Sequence, residues 1–296
     1  VRPFPFDPRD LAPGDTAGQD GAARAVSALE GLQLREVTAD PGDLPVFREA
    51  YAALSAFFGP ANEIEREEVL ERWLFRPDPA ATVRYHLLVA HTADGRLAAV
   101  RDGFTALLRA QRCIVALMSH TLVNPPWRRS GLAAVLRAAP AAFAREDAAA
   151  QGLPDALRVL VAEMEFVEGD KPDTRIRLVA YGRAGFRVVP PALVPYAQPD
   201  FRDLAALGVA AVPVPLVLLV RLPGREDQEA LDRTHLAAVF DGLQDIHAPA
   251  IQGDQLAVIR ARALSASDVD PVPLWSPPTT TDDPAAFAPV SRPGVP

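Results

Sequence analysis

Residues 122–133 read Leu-Val-Asn-Pro-Pro-Trp-Arg-Arg-Ser-Gly-Leu-Ala and join an apolar run to an alanine-rich one. Such a join can hold an anion. Pro125 and Pro126 end a strand, Gly131 removes a side chain where an anion must approach the backbone, and the unpaired N–H groups opening the helix point at that anion. Arg128 and Arg129 add positive charge beside it. An ordinary strand-to-helix turn with two exposed arginines is the plainer alternative. The stretch has neither the Gly-Lys-Ser/Thr ending of a P-loop nor the three-glycine Rossmann fingerprint, which makes ATP and NAD poor candidates. Other groups can move protons. Period two puts Glu163 and Glu165 on one strand face with Val159 and Val161, where two carboxylates raise one pKa toward the range of a base. Past the covered part of the strand they would instead be solvated or paired with arginine. His120, titratable near neutrality and close to the turn, alternates with Met118 and Leu122. His86, His91, His235 and His247 have no metal-ligand spacing, no metal is expected, and no nucleophile elbow supports a hydrolase.

The elements that must position these groups follow from periodicity. Residues 32–37 alternate as a strand, and 43–58 carry Leu44, Phe47, Tyr51, Leu54 and Phe58 at helical spacing, stopped by Gly59-Pro60. Asn62 is a candidate N-cap for a helix over 63–75, whose Glu63, Glu65, Glu67, Glu68 and Glu71 read as a solvated face. Extended runs at 85–91, 97–107 and 112–123, joined by short links, predict an antiparallel meander. A helix over 131–146 contains Pro140, which costs about 3 kcal/mol and predicts a kink or a split. A strand at 157–166, a helix at 174–183, strands at 186–189 and 216–222, and a helix within 226–247 complete the order. It describes an α/β fold, a mixed, mostly antiparallel sheet of about seven strands with helices on both faces and a C-terminal helical extension.

With that order in place, the sequence resembles the GNAT superfamily of acyl-CoA-dependent N-acetyltransferases. The family's pyrophosphate signature is Arg or Gln, two residues, Gly, one residue, then Gly or Ala; Arg128, Gly131 and Ala133 fit it, preceded by Val123 and Pro125. A second match is Tyr181-Gly182-Arg183-Ala184-Gly185-Phe186, similar to the family's Tyr-x-x-x-Gly-Phe ending of the next helix. Within the superfamily, Glu163-Met164-Glu165 followed by Tyr196-Ala197-Gln198-Pro199 looks like a bacterial branch of unknown acceptor. Thr174 stands where many relatives start that helix with Asn.

The resemblance implies acetyl-CoA, or another short acyl-CoA, as cofactor, an amine as acceptor, and a ternary complex. It implies cofactor binding by Leu122, Val123, Arg128, Arg129, Ser130, Gly131, Leu132 and Ala133, with backbone N–H groups near Leu122 and Val123 on the pantetheine arm. Acyl transfer to an amine needs a base for the amine and a proton for the leaving thiolate. Tyr181 is the acid it nominates, because a phenol of pKa about 10 can protonate a thiolate; a ring packed at a helix end is its other role. Glu163, Glu165 and, as rival, His120 are the bases. Phe57-Phe58-Gly59-Pro60 would shape acceptor specificity.

Composition bounds the partners. The formal net charge is −8 and Lys171 is the only lysine, which argues against nucleic acid or an anionic membrane and suits a cationic small-molecule amine. Cys113, the single cysteine, lies in an apolar run and reads as buried and inert. No signal-peptide pattern or spanning segment is read, so a cytoplasmic protein is expected. The boundaries expected are a loose arm over 1–30, an acyltransferase domain over 31–223, the helical extension over 224–270 and a disordered Pro-rich tail over 271–296. A homodimer stays open, as do two other functions, transfer to a protein amine and catalytically silent acyl-CoA binding.

Overall fold

Alternating apolar runs become the long strands. The structure, a computed structural model, describes residues 1–291 except 5, 17–20, 62, 79–80, 170, 202–203, 205–207 and 252–253. Contacts divide the chain into two compact units, Val1–Leu107 with Ala116–Ala156, and Leu108–Val115 with the chain from Leu157 onward.

In the first unit, strands β1 (Arg2–Pro3), β2 (Leu32–Glu36), β3 (Val83–Thr92), β4 (Leu97–Leu108) and β5 (Cys113–Val123) neighbour one another in that order. The pairs β1–β2, β2–β3 and β3–β4 run antiparallel. Tyr85 stands opposite Phe104 and Leu87 opposite Asp102, which gives these residues one face; His86 opposite Gly103 and Leu88 opposite Arg101 take the other. Helices α1 (Pro13–Thr16) and α2 (Gly21–Ser27) precede β2, and helices α3 (Leu44–Phe58) and α4 (Glu67–Phe75) follow it. The Tyr85 face is covered by α4, whose Trp73 meets Phe104 edge-on at 5.8 Å. Helix α4 starts four residues later than its acid cluster predicts, and the expected cap Asn62 lies outside the described residues.

Helix α5 (Leu132–Ala150) covers the His86 face. Its Leu132, Leu136, Ala139 and Phe143 pack with Leu88, Ala90 and Ala98, and its opposite side, Ala134, Val135 and Ala138, packs with Leu11 and Ala25. Of the kink or split expected at Pro140, the split does not occur, for α5 runs unbroken through it. Burial on two sides outweighs one lost hydrogen bond, and small alanines let both neighbours approach. The partner on the second side is the segment expected to be a loose arm. Phe4 meets Phe143 edge-on at 5.5 Å, Arg2 Nε donates to Glu36 at 2.5 Å, Arg137 Nε donates to Asp15 at 3.1 Å, and Arg145 pairs with Asp10. Arg2, Phe4, Asp10, Leu11, Asp15 and Ala25 of this segment thus meet α5, through contacts from distant sequence that local periodicity cannot register.

The second unit contains strands β6 (Leu157–Met164), β7 (Arg187–Val188), β8 (Tyr196–Gln198) and β9 (Val214–Arg221). Strands β6, β7 and β8 each pair antiparallel with β9. Helix α6 (Pro172–Arg183) follows β6; β10 (Ala230–Leu231), α7 (Arg233–His247), α8 (Gln255–Ser265) and β11 (Val272–Pro273) follow β9. Asp232 caps α7 by accepting from the His235 N–H at 2.8 Å, so the helix begins well after the expected residue 226. Cys113 is fully buried, and burial pushes its thiol up to about 12. The α/β class and mostly antiparallel pairing are as expected. The strands number more than seven because β1, β8, β10 and β11 are too short to show a period. Among the described residues no helix is long and apolar enough to cross a membrane.

The expected disorder after residue 271 is not found as far as Ser291. Strand β11 pairs with β10, Trp275 exchanges backbone hydrogen bonds with Val188 at 2.8 and 2.9 Å, Val290 accepts from the Val167 N–H at 3.0 Å, and Phe287 and Val290 are fully buried. The segment borrows partners rather than repeating its own, so it carries no periodicity. Removing 271–296 should lower the melting temperature by at least about 5 °C, because two buried side chains contribute about 1.5–3 kcal/mol each; an unchanged melting curve would refute this packing.

A buried ion cluster generates a second expectation. His86 Nδ1 lies 2.8 Å from Glu36 and Nε2 2.9 Å from Asp147. Burial alone would lower the His86 pKa, but the two carboxylates prevail and raise it to about 9. This contribution to stability is complete below the unfolded value near 6.5 and is lost as pH rises through 9. Melting temperature should therefore fall between pH 7 and 10, less steeply in His86→Gln; parallel curves would contradict it.

Candidate functional site

The turn after β5 is built from both of its ends. Asn124 anchors its start on β4, with Nδ2 donating to the Leu97 carbonyl at 2.7 Å and its N–H to that of Ala98 at 2.9 Å. Pro125–Trp127 form a 3₁₀ turn, and Arg128 Nε donates back to the Val123 carbonyl at 3.1 Å. Arg129 at φ 65° and Gly131 at φ 105° then turn the chain into α5. Ser130 Oγ accepts from the Leu132 N–H at 3.2 Å, whereas the amides of Gly131 and Ala133 find no acceptor among the described residues. These groups sit at the positive end of a 19-residue helix.

A cleft of about 410 Å³ opens on this turn. Of the expected cofactor residues, Val123, Arg128, Arg129, Gly131 and Ala133 line it. The side chains of Leu122 and Leu132 are buried, and the Ser130 hydroxyl serves the helix start. Three further lining residues, Asp15, Arg24 and Arg137, have no local sequence signal, because they arrive from the N-terminal segment and from the second turn of α5. Arg24 Nη2 donates to the Arg129 carbonyl at 2.5 Å. Its own carbonyl oxygen would lie 2.9 Å from a Cβ on Gly131, so part of the close approach that this glycine permits is made by Arg24 and not by an anion.

His120 lies three residues before Val123 on β5, about 10 Å along an extended strand. Its Nδ1 lies 3.0 Å from Asp102 Oδ1, its N–H donates to the same oxygen at 2.7 Å, and Tyr85 Oη donates to Asp102 Oδ2 at 3.1 Å. Nε2 lies 2.6 Å from the Glu63 carbonyl oxygen, and Phe58 packs its ring 4.8 Å away. Burial would lower the His120 pKa; Asp102 and the Glu63 carbonyl overcome it and raise it to about 9. Both ring nitrogens then donate, so no lone pair faces an acceptor amine and the residue ties the link between α3 and α4 to β5. Half-buried Glu65 departs from the expected solvated face: burial, with Asp102 nearby, raises its pKa.

The two carboxylates expected to act together are separated by environment. Glu165 Oε2 accepts from Arg177 Nη1 at 2.8 Å, and both side chains are about half exposed, a surface pair of small worth. Glu163 is 11% exposed; Tyr196 Oη donates to its Oε1 and Gln198 Nε2 to its Oε2 at 3.1 Å. Burial and the Glu163 charge push the Tyr196 phenol well above its ordinary pKa. Tyr196 and Gln198, two apart on β8, reach one carboxylate from one strand face.

Tyr181 ends α6. The Phe186 N–H donates to the Tyr181 carbonyl and the Gly185 N–H to that of Gly182, both at 3.0 Å, with Gly185 at φ 80° and the Tyr181 and Phe186 rings edge-on at 5.3 Å. This is a Schellman helix stop with its hydrophobic contact, which accounts for the Tyr, the Gly and the Phe of the motif without chemistry. Thr174 Oγ1 donates to the Lys171 carbonyl at 2.7 Å at the start of the same helix.

The sequence matches no protein-family model and no curated protein. Similar solved structures are GNAT-type N-acetyltransferases. A spermidine N-acetyltransferase from Vibrio cholerae in complex with CoA and spermine shares 10% identity, over 67% of this chain and 99% of that one, with a TM-score of 0.39. An aminoglycoside acetyltransferase from an uncultured soil sample, in complex with sisomicin, shares 19% identity over 52% and 88% at 0.36. A GCN5-related glucosamine N-acetyltransferase region of a fungal multi-domain β-N-acetylglucosaminidase shares 14% identity over 53% and 17% at 0.37. At such scores, what the turn binds is decided by its own residues.

Removing the Asp102 charge isolates its effect on His120. In Asp102→Asn the ring pKa should fall by more than about one unit from 9 toward its ordinary 6.5, read by NMR titration. The part of stability that disappears as pH rises through 9 should shrink with it. A titration that stays near 9 would show that Asp102 does not set the charge of this ring.

Proposed function

We propose that the chain is an acyl-CoA-dependent N-acyltransferase that takes a small amine as acceptor, with the turn from Arg128 to Ala133 holding the cofactor's pyrophosphate. One observation carries this reading: two amides at the start of α5 stand open beside Arg128 and Arg129 on a cleft that Arg24 and Arg137 also line. A diphosphate matches that donor set, since helix-start amides, the helix dipole and guanidinium forks all favour phosphate oxygens. The concentration of arginines contrasts with a chain whose formal net charge is −8.

When bound, acyl-CoA supplies an activated acyl group. Of the candidate bases, Glu163 fits best, because Tyr196 and Gln198 orient its carboxylate. Glu165 is tied to Arg177 and takes no step. His120, with both nitrogens engaged, positions the Phe57–Phe58 end of α3 and the following link, the segment assigned to acceptor specificity. Tyr181 Oη is the assigned proton donor; the helix stop beneath it fixes its backbone. A short acyl chain such as acetyl is the proposed cargo.

A second reading, an acyl-CoA-binding protein without turnover, draws on a specific feature: His120, Glu163 and Glu165 are all engaged by other groups. Free-thiol release over a panel of acyl-CoAs and amines separates the two, since sustained release occurs only in the enzyme.

Binding tests the turn itself. Arg128→Ala and Arg129→Ala should each weaken CoA roughly 10- to 100-fold by calorimetry, as expected for one charged hydrogen bond of about 1.5–3 kcal/mol, and the loss should shrink at high salt. These variants are preferable to a side chain at Gly131, where φ 105° and the Arg24 carbonyl would strain the fold. Parental affinity in both would remove the cofactor site from this turn.

A further inference from the structure

Helix α7, in the C-terminal extension, carries a buried side chain that the fold does not satisfy. His247 is 3% exposed, and neither ring nitrogen has a hydrogen-bond partner among the described residues. Leaving buried polar atoms unpaired costs stability, so an apolar side chain here would serve packing better. Burial pushes the His247 pKa down to about 4, which keeps the ring neutral with a lone pair available. Phe201 holds one side of it, ring centroids 5.3 Å apart.

The ring is aimed at the proposed base. Its Nε2 stands 3.9 Å from Glu163 Oε1, the oxygen to which Tyr196 Oη donates. About 1 Å of side-chain movement would bring the two within hydrogen-bond distance. His247, Tyr196, Phe240 and Arg260 line a cavity of about 10 Å³ between α7, α8 and β8, room for about one water-sized group. The ionisable groups around the ring are Glu163 from β6, Tyr196 from β8 and Arg260 from α8, whose Nε donates to Asp241 of α7 at 2.5 Å. The guanidinium is thus already paired, and Glu163 is the carboxylate whose Oε1 stands 3.9 Å from the ring.

We infer that His247 is a proton-relay residue for Glu163, an inference that rests on the acyltransferase reading. The acceptor N–H bond breaks, its electron pair stays on nitrogen for attack, and the proton forms an O–H bond on Glu163. That O–H bond then breaks as an Nε2–H bond forms on His247, which returns Glu163 to a carboxylate. The imidazolium, unfavourable in its buried setting, then gives the proton to water, its N–H bond breaking as a water O–H bond forms. Acting through Glu163 and away from the substrate, His247 is a positioning and relay group and not itself a catalytic residue.

Two measurements on the full chain test it. In the protein without ligands, ¹⁵N NMR titration of the His247 ring should move to lower pH by about one unit in Glu163→Gln, because an opposite charge within about 4–6 Å favours the imidazolium. In turnover, His247→Phe, which keeps a ring against Phe201, should lower kcat about tenfold and displace the acid limb of the pH profile while leaving CoA affinity unchanged. Superimposed titrations in the parent and Glu163→Gln overturn the relay and leave the acyltransferase reading standing, whatever the folding of His247→Phe. A parental kcat and acid limb in folded His247→Phe overturn it as well. If the parent turns over no amine, the acyltransferase reading falls, and the relay falls with it.

Discussion

A buried imidazolium between two carboxylates fixes the first unit. His86 on β3 reaches Glu36 on β2 and Asp147 on α5, Thr105 on β4 donates to the same Asp147 carboxylate, and Phe143 stacks on the ring at 4.2 Å and 11°. Charges removed from water are tolerated only when every partner is in place, so this cluster specifies one position of α5 against the sheet. Arg2 extends it to β1 through Glu36 and Glu146. Since α5 begins at the turn after β5, the ion cluster near its far end also sets where that turn stands.

The opposite face of the same sheet has a second buried histidine–carboxylate pair, His120 with Asp102, and the two differ in what they reach. One residue of alternation separates Tyr85 from His86, and it sends the first toward Asp102 and the second toward Asp147. The α5 side is closed by an apolar helix. The α4 side leads through the Glu63 carbonyl into the link after α3, where Glu65 is only half-buried. One cluster therefore holds a helix against the sheet, while the other holds the link after α3.

What was legible in the sequence divides along the range of the interactions. Strands β2 to β6 and helices α3, α5 and α6 were readable because their apolar residues form runs or recur at a fixed spacing between turn residues. The turn at 122–133 was readable because prolines, glycine and arginines act there within a few residues. The N-terminal segment and residues 271–291 were misjudged, since Arg2, Phe4, Trp275 and Phe287 find partners more than 80 residues away. The split allowed for at Pro140 fails for a related reason: a local penalty of about 3 kcal/mol was weighed without the two packed sides of α5. Tyr196, Gln198 and His247 around Glu163 could not be grouped in advance, although the two-residue spacing of the first two on a short strand was a usable hint.

The two motif matches differ in the weight they bear. The Arg-x-x-Gly-x-Ala turn leaves amides and guanidinium groups beside a cleft, so its residue types still ask for a ligand after local bonding is counted. The Tyr-x-x-x-Gly-Phe ending does not, because a glycine at φ 80°, two capping hydrogen bonds and one ring contact already require a residue of each kind. A recurring motif of that sort would persist in a protein that had lost its chemistry. Any role of the Tyr181 hydroxyl must therefore be argued apart from the motif that draws attention to it. The same reasoning raises the standing of Glu163 and His247: no capping or packing requirement explains a carboxylate held by two donors beside an unsatisfied imidazole.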